Sequence, residues 1–402
     1  MRTVDVIIVG ASLSSAAAAK RLVDAGIETI ILERFELPRH KICSGILSPR
    51  GHRFLLENFG PLPLEVLHEP TSCRGVTFHF PSMVSMPMDF FGGPTPHLHR
   101  KYADHWAIQR SGAEIHDQTS FIGLEDQGDH VKVTARKNGE TIEYRARQVI
   151  GADGPNSPVV RAVYPEYQKS IPWFFVGQKF HEIVECPLDE QYFHFWFHPG
   201  LGHYTWSHAR DGRQIVGVGF KRGDNFARKH ANVVDYLKQK HRVLLHPHTE
   251  DEGCGENFGP SLINRYVFGK GNVLITGQAA GFLNMIGEGM SCALHSGAIC
   301  GEAVVEARLR NRPVQEMYRK MIASEVQRTT DQWNPIKIAF DRPHEADFPA
   351  ALMALSWRDR AKVLQDMWRF VVLFKEFKWG RQIMLAAMHR SLSGQYPSKS
   401  WQ

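Results

Sequence analysis

The sequence predicts an α/β protein: a Rossmann-like dinucleotide-binding domain, a mixed β-sheet substrate domain and a helical C-terminal region. Three segments carry that prediction. Residues 4–26 read VDVIIVGASLSSAAAAKRLVDAG, an apolar run, a glycine turn and an Ala-rich helix. Residues 150–161 read IGADGPNSPVVR, and residues 271–290 read GNVLITGQAAGFLNMIGEGM. In this order and at these distances they describe one extended dinucleotide site, for FAD. Such a cofactor implies a redox enzyme, because the organic chemistry then belongs mostly to the flavin.

The first segment is justified residue by residue. Residues 4–9 form a continuous apolar run, as a strand buried on both faces requires. Gly10 permits a tight turn, residues 12–26 read as a helix closed by Gly26, and residues 27–32 form a second buried strand ending at Glu33. Free N–H groups at the helix start suit a diphosphate, and Glu33, with Arg34 beside it, suits a ribose. The turn itself, Gly10-Ala11-Ser12-Leu13-Ser14-Ser15, departs from G-x-G-x-x-G. Ser12 stands where backbone meets phosphate, with a hydroxyl that can donate to a phosphate oxygen. Ser15 stands where the helix packs on the strand. Taken alone, this segment is also compatible with a nucleotide-free βαβ unit.

Composition narrows the class. The chain has 402 residues, 43% hydrophobic and 11% aromatic, enough for two globular domains. No apolar run reaches the roughly 18 residues of a membrane span. No secretory leader is read at the start, and the six cysteines (43, 73, 186, 254, 292, 300) form no CxxC pair. The expectation is a cytoplasmic protein with reduced thiols. Net charge is +6. From Ala350 onward nine Lys or Arg face three acidic residues, so the tail carries the whole excess. A basic, Trp-bearing tail suits an anionic surface, and peripheral contact with the inner face of a membrane is one expectation. Nucleic acid is not, since no motif for it is present.

The second and third segments carry a resemblance. GADGPNS (residues 151–157) and NVLITGQAAG (residues 272–281) resemble the second and third FAD motifs of the para-hydroxybenzoate hydroxylase-like flavoproteins. Within that superfamily the chain is most similar to the geranylgeranyl reductase family, on three further stretches. HKICSGILSPRG (residues 40–51) resembles its Lys-x-Cys-Gly-Gly stretch. LHRKYADHWAIQRSGAEI (residues 98–115) resembles its Arg-x-x-x-x-Asp helix start, here Arg100 and Asp104. PGLGHYTWSHARDGRQIVGVGF (residues 199–220) resembles its Tyr-x-Trp element, here Tyr204 and Trp206. The likeness spans about residues 4–310.

The resemblance implies a set of roles. Asp153, Gly277, Gln278, Gly281, Gly287, Gly289 and Met290 would join Gly10, Ser12, Leu13, Ser14, Ser15, Glu33 and Arg34 in holding FAD. Lys41, Cys43, Ser44, Gly45 and Arg100 would lie along it, with Cys43 near the isoalloxazine face. The helix after the third motif would bring its positive N-terminus to the flavin pyrimidine, where it can stabilise charge on the reduced ring. Tyr204 and Trp206 would line a cavity for a lipophilic or aromatic small molecule. For Cys43 a plain buried-thiol reading stands beside the functional one, and for Tyr204 and Trp206 a core-aromatic reading.

Two departures fall in the third motif. Gln278 replaces the family's Asp, so a charge-assisted bond of roughly 1.5–3 kcal/mol becomes a neutral one of about 1, and weaker FAD binding is expected. The loop of residues 281–289 lacks the usual proline and is about one residue short. Gly281 also stands where aromatic hydroxylases of the superfamily usually carry His, and the halogenase Trp-x-Trp-x-Ile-Pro element is missing. Both absences favour reduction or dehydrogenation over oxygen insertion.

There are twenty-one histidines, none with metal spacing, so no metal site is expected. Strand periodicity puts His194 and His198 on one face, and one of His198, His203 or His208 is expected to supply a proton. Residues 176–220 read as strands, 233–241 as a solvated helix, 253–260 as a loop and 291–311 as a helix. Val363, Met367, Phe370, Val371, Phe374 and Phe377 recur at helical spacing in the tail. The domain plan places FAD-binding segments at 1–75, 98–165 and 262–320, substrate-domain segments at 76–97 and 166–261, and the helical region at 321–402. The expected activity is reduction of a carbon–carbon double bond in a lipophilic substrate by hydride from flavin N5, fed by NAD(P)H or ferredoxin. The alternatives are a flavin monooxygenase and a degenerate flavoprotein with a binding role.

Overall fold

The computed structural model describes residues 1–341 except 80–84, 197, 199–200, 202–203, 222 and 257, together with 356–358 and 360–361. The chain begins with β1 (Arg2–Val9), α1 (Leu13–Asp24), β2 (Thr29–Leu32), α2 (Pro49–Phe59), β3 (Leu67–Cys73), β4 (Gly75–His79), β5 (Ser85–Asp89) and β6 (Thr95–Leu98). It continues through α3 (Arg100–Arg110), β7 (Glu114–His116), β8 (Thr119–Asp126), β9 (Val131–Lys137), β10 (Glu140–Gly151), α4 (Pro158–Val163), β11 (Phe174–Glu185), β12 (Tyr192–Trp196), β13 (Tyr204–Arg210) and β14 (Arg213–Lys221). Then come α5 (Phe226–His241), β15 (Leu244–Glu256), α6 (Gly259–Leu262), β16 (Gly269–Lys270), β17 (Val273–Ile275), α7 (Met290–Arg310) and α8 (Val314–Asp341). Two units emerge. The first joins Met1–Leu67, Leu98–Trp173 and Gly255–Thr330; the second joins His68–His97, Phe174–Cys254 and the described residues from Asp331 on.

In the first unit the sheet order is β16-β17-β10-β1-β2-β7, extended by β9 and β8. Its central strands, β17, β10, β1 and β2, run parallel. That is why they are apolar where they lie side by side: Ile7, Ile8, Ile30, Ile31, Val149 and Ile150 are fully buried, each contributing roughly 1.5–3 kcal/mol over exposure. Helices α1 and α7 pack with almost no side chain between them. A Cβ on Gly297 would lie 2.2 Å from the Ser14 carbonyl oxygen, and one on Gly301 2.5 Å from that of Ala18. The close approach of these two helices is thus made possible by glycines of α7.

The second unit is a mixed sheet ordered β15-β11-β14-β13-β12-β4-β5. Only β12 and β4 run parallel among the pairs of known register. Three expectations need correction here. Helix α5 is not simply solvated: Val233 and Leu237, four residues apart, are buried against Trp196, Val216 and Val218. Residues 253–256 belong to edge strand β15 rather than a loop. And β12 ends at Trp196, so His198 shares no strand face with His194.

No described helix is long and apolar enough to cross a membrane. Among the described residues no group of His, Cys, Asp or Glu is arranged to hold a metal. The periodic apolar positions 363–377, and most of the basic tail, lie outside the described residues.

Candidate functional site

The site in the first unit is built around the start of α1. Strand β1 delivers Gly10, whose φ is +96°. A Cβ there would sit 2.8 Å from both the Ala152 carbonyl oxygen and the Asp153 Cα, so glycine is required where β1 and β10 end side by side. Ser12 is the N-cap. Its hydroxyl accepts from Ser15 N at 3.4 Å and donates to the Ala152 carbonyl at 3.2 Å. The Ser15 hydroxyl accepts from Ser12 N at 3.3 Å and donates to the Gly10 carbonyl. The two serines that replace fingerprint glycines therefore form a reciprocal capping box. This corrects the expectation for Ser12: its hydroxyl is spent on the helix cap and on Ala152. The amides of Leu13 and Ser14 have no carbonyl behind them within the helix, and no acidic residue occupies the first turn.

Glu33 is 4% exposed and already busy. It accepts from Ala11 N at 2.9 Å, Phe35 N at 3.0 Å and Arg39 Nε at 3.0 Å. A carboxylate offers about four lone-pair positions, so one remains for a ribose hydroxyl. Arg39 also donates to the Ala11 carbonyl and, at 3.5 Å, to Asp104. Asp104 is held by Arg100 in a bidentate pair at 2.7 and 2.9 Å, and Arg100 hydrogen-bonds Cys43. A continuous charged chain thus runs Glu33–Arg39–Asp104–Arg100 to the Cys43 sulfur, which also accepts from Gly45 N at 3.4 Å. Lys41 and Ser44 flank Cys43 in an irregular segment between β2 and α2. The Arg34 guanidinium lies over the Phe35 ring at 4.5 Å.

Asp153 accepts from Val159 N at 3.2 Å through Oδ2, while its buried Oδ1 has no partner. Burial pushes its carboxyl up to about 6. Gly277 follows β17 and approaches Ser14, and its N–H donates to Ser296 Oγ on α7 at 3.1 Å. Gln278 lies in the short turn Gly277–Ala280 with a buried, unpartnered Nε2. Gly281 and Gly287 take positive φ in the loop that follows. Gly289 is the N-cap of α7 and Met290 its first residue.

These residues fit FAD. Two open amides at Leu13 and Ser14 suit a diphosphate, Glu33 keeps an acceptor, and Gln278 Nε2 is a buried donor that a ribityl hydroxyl would satisfy. A sequence-family model described as an FAD binding domain matches residues 3–200. This chain is an FAD-dependent oxidoreductase. It is 26% identical over 314 residues to protein CbrA of Escherichia coli K12, covering 74% of this chain and 82% of that one. Among solved structures, a geranylgeranyl bacteriochlorophyll reductase-like protein from Thermoplasma acidophilum aligns with TM-score 0.75 at 18% identity, covering 93% of this chain and all of the other. The p-nitrophenol 4-monooxygenase PnpA of Pseudomonas putida aligns with TM-score 0.66 at 14% identity over 99% of this chain and 100% of its own. At these identities the structures show the fold.

The expected substrate residues fall in the second unit. Trp206 is 5% exposed and its ring crosses Gly217, where a Cβ would come within 2.1 Å. Tyr204 opens β13 opposite Gly219, and His203 lies outside the described residues. His208 cannot serve as an acid near neutral pH. Burial, then the neighbouring His97 and Arg210 charges, hold it well below the ordinary histidine range, and neither ring nitrogen has a partner. His198 rests against Tyr236, and burial lowers it too.

Arg39, Asn284, Glu288 and Ser291 were not singled out from the sequence as site residues. For Asn284 and Glu288 the signal is a local one. Asn284 Oδ1 accepts from Ile286 N at 3.1 Å and Glu288 N at 2.8 Å, and this turn shapes the loop that lacks proline.

Proposed function

We propose that this flavoenzyme saturates a carbon–carbon double bond in a lipophilic substrate. The observation that carries the reading is the half-buried Cys43 thiol set against Arg100, at the end of the charged chain that begins at the nucleotide site. FAD when bound supplies the hydride. Hydride alone does not complete the addition; a proton must reach the other carbon. Cys43 Sγ–H is assigned that proton, and the Arg100 guanidinium, fixed by Asp104, compensates the charge left on sulfur. Burial lowers His79, His194 and His208 of the sheet unit, and none of them is assigned it. On that unit, Phe78, Phe195 and Trp206 share a sheet face by register, with Phe195 and Trp206 buried in it.

The test is anaerobic. Dithionite reduces the holoprotein, which removes dependence on the natural donor, and a polyprenyl alkene is added. Reoxidation of flavin with a product heavier by one H2 supports the reading. Oxidation only on admitting air, with an oxygenated product, supports a monooxygenase instead. Donor choice between NAD(P)H and ferredoxin follows from which one bleaches the flavin. In Cys43→Ala, flavin reduction should persist while alkene reduction falls by about 10²–10⁴.

A further inference from the structure

The N-terminus of α7 is occupied by one of the chain's own carboxyl groups. Glu288 is 2% exposed. Its Oε1 accepts from Ser291 N at 2.7 Å, and its Oε2 accepts from Ser291 Oγ and, at 3.1 Å, from Asn284 Nδ2. Met290 N–H also bonds this carboxylate. Burial raises Glu288, while its bonds to Ser291 and Met290 and the Arg50 charge work the other way. Arg50 itself grips the buried Glu325 of α8 at 2.8 and 2.6 Å. One guanidinium on α2 therefore serves two enclosed carboxylates.

The path of the cofactor follows from contacts within this unit. Glu33 would hold the ribose end, and the open Leu13 and Ser14 amides the diphosphate. Beyond it lies Gly277, bonded to Ser296 and packed on Ser14. From Gly297, which touches the Ser14 carbonyl, back to Met290 is seven residues of α7, about 10 Å. A ribityl chain leaving the diphosphate along Gly277 and Gln278 leads toward that helix end.

We propose that Glu288 tunes the flavin. It fills the positive end of α7 with a carboxylate and withholds that charge from the reduced ring, which holds the cofactor at a low potential and makes it a strong hydride donor. The proposal rests on the FAD assignment, so the visible spectrum of the wild-type protein is read first; a colourless protein that takes up no FAD overturns that assignment and not this one alone. With FAD bound, Glu288→Gln keeps the shape and removes the charge. Its midpoint potential in a reference-dye titration should rise by about 30 mV, the two-electron equivalent of a tenfold change in equilibrium constant. Its affinity for sulfite, a probe of positive charge near the ring, should tighten about tenfold. Ser291→Ala keeps the carboxylate and should leave the potential in place while lowering thermal stability. If Glu288→Gln does not fold, Glu325→Gln decides, because it releases Arg50 toward Glu288 and should raise the potential as well. A loaded Glu288→Gln, or failing that Glu325→Gln, with wild-type potential and sulfite affinity overturns the proposal.

Discussion

Two helices of the first unit begin in opposite electrostatic states. At α1 the caps are neutral hydroxyls, no acid stands in the first turn, and two amides are open. At α7 the N-cap is Gly289 with no capping side chain, and a carboxylate from the preceding residue covers the amides. The backbone supplies the same partial positive charge to both. The side chains decide whether it is offered to a ligand or cancelled at home. An open end binds a permanent anion such as diphosphate. A filled end refuses charge that appears only on reduction.

The largest expected effect breaks the filled end. Arg50→Met leaves Glu325 and Glu288 without their shared cation and should cost about 3–5 kcal/mol, measured by chemical denaturation. Next, Gly10→Ala attacks the open end. Positive φ alone costs about 1–3 kcal/mol, and the collision with Ala152 and Asp153 adds to it, so visible flavin absorbance of the purified variant should be lost. The third prediction concerns pH. Asp153 is raised in the folded chain to about 6 against an ordinary 3.8. Its neutral form is favoured by folding, so this stabilisation is complete below about 4 and is lost as pH rises through about 6. Thermal melting of the FAD-free protein should show that decline, and Asp153→Asn should flatten it. The smallest effect sharpens the comparison: Ser12→Ala removes the α1 cap for about 1 kcal/mol, yet leaves the Leu13 and Ser14 amides in place, so FAD binding should survive.

How much was legible follows the same division. The β1–α1–β2 unit is written in a contiguous pattern of apolar residues and one glycine, and residues 13–24 form the expected helix. The strands between 174 and 221 are legible from turn signals for the same reason. What was not legible depends on partners far apart in the chain. Nothing near Ser12 announces that its hydroxyl bonds Ala152, 140 residues away. Nothing near Arg39 announces Asp104, and the neutrality of His208 comes from burial that only the folded sheet creates. The loop of residues 281–289 looked deficient because a proline was missing. Asn284 and Glu288 supply its rigidity by hydrogen bonds, which leave no periodic trace.

The bare contact of α7 on α1 has one more consequence. With α7 resting almost directly on the main chain of α1 at Gly297 and Gly301, the two helices have little room to shift against each other. A methyl group grafted onto either glycine would wedge the pair open and drag the phosphate seat out of line with the redox end. Re-engineering of this coenzyme groove has to spare those two positions before any residue that touches the ligand is altered.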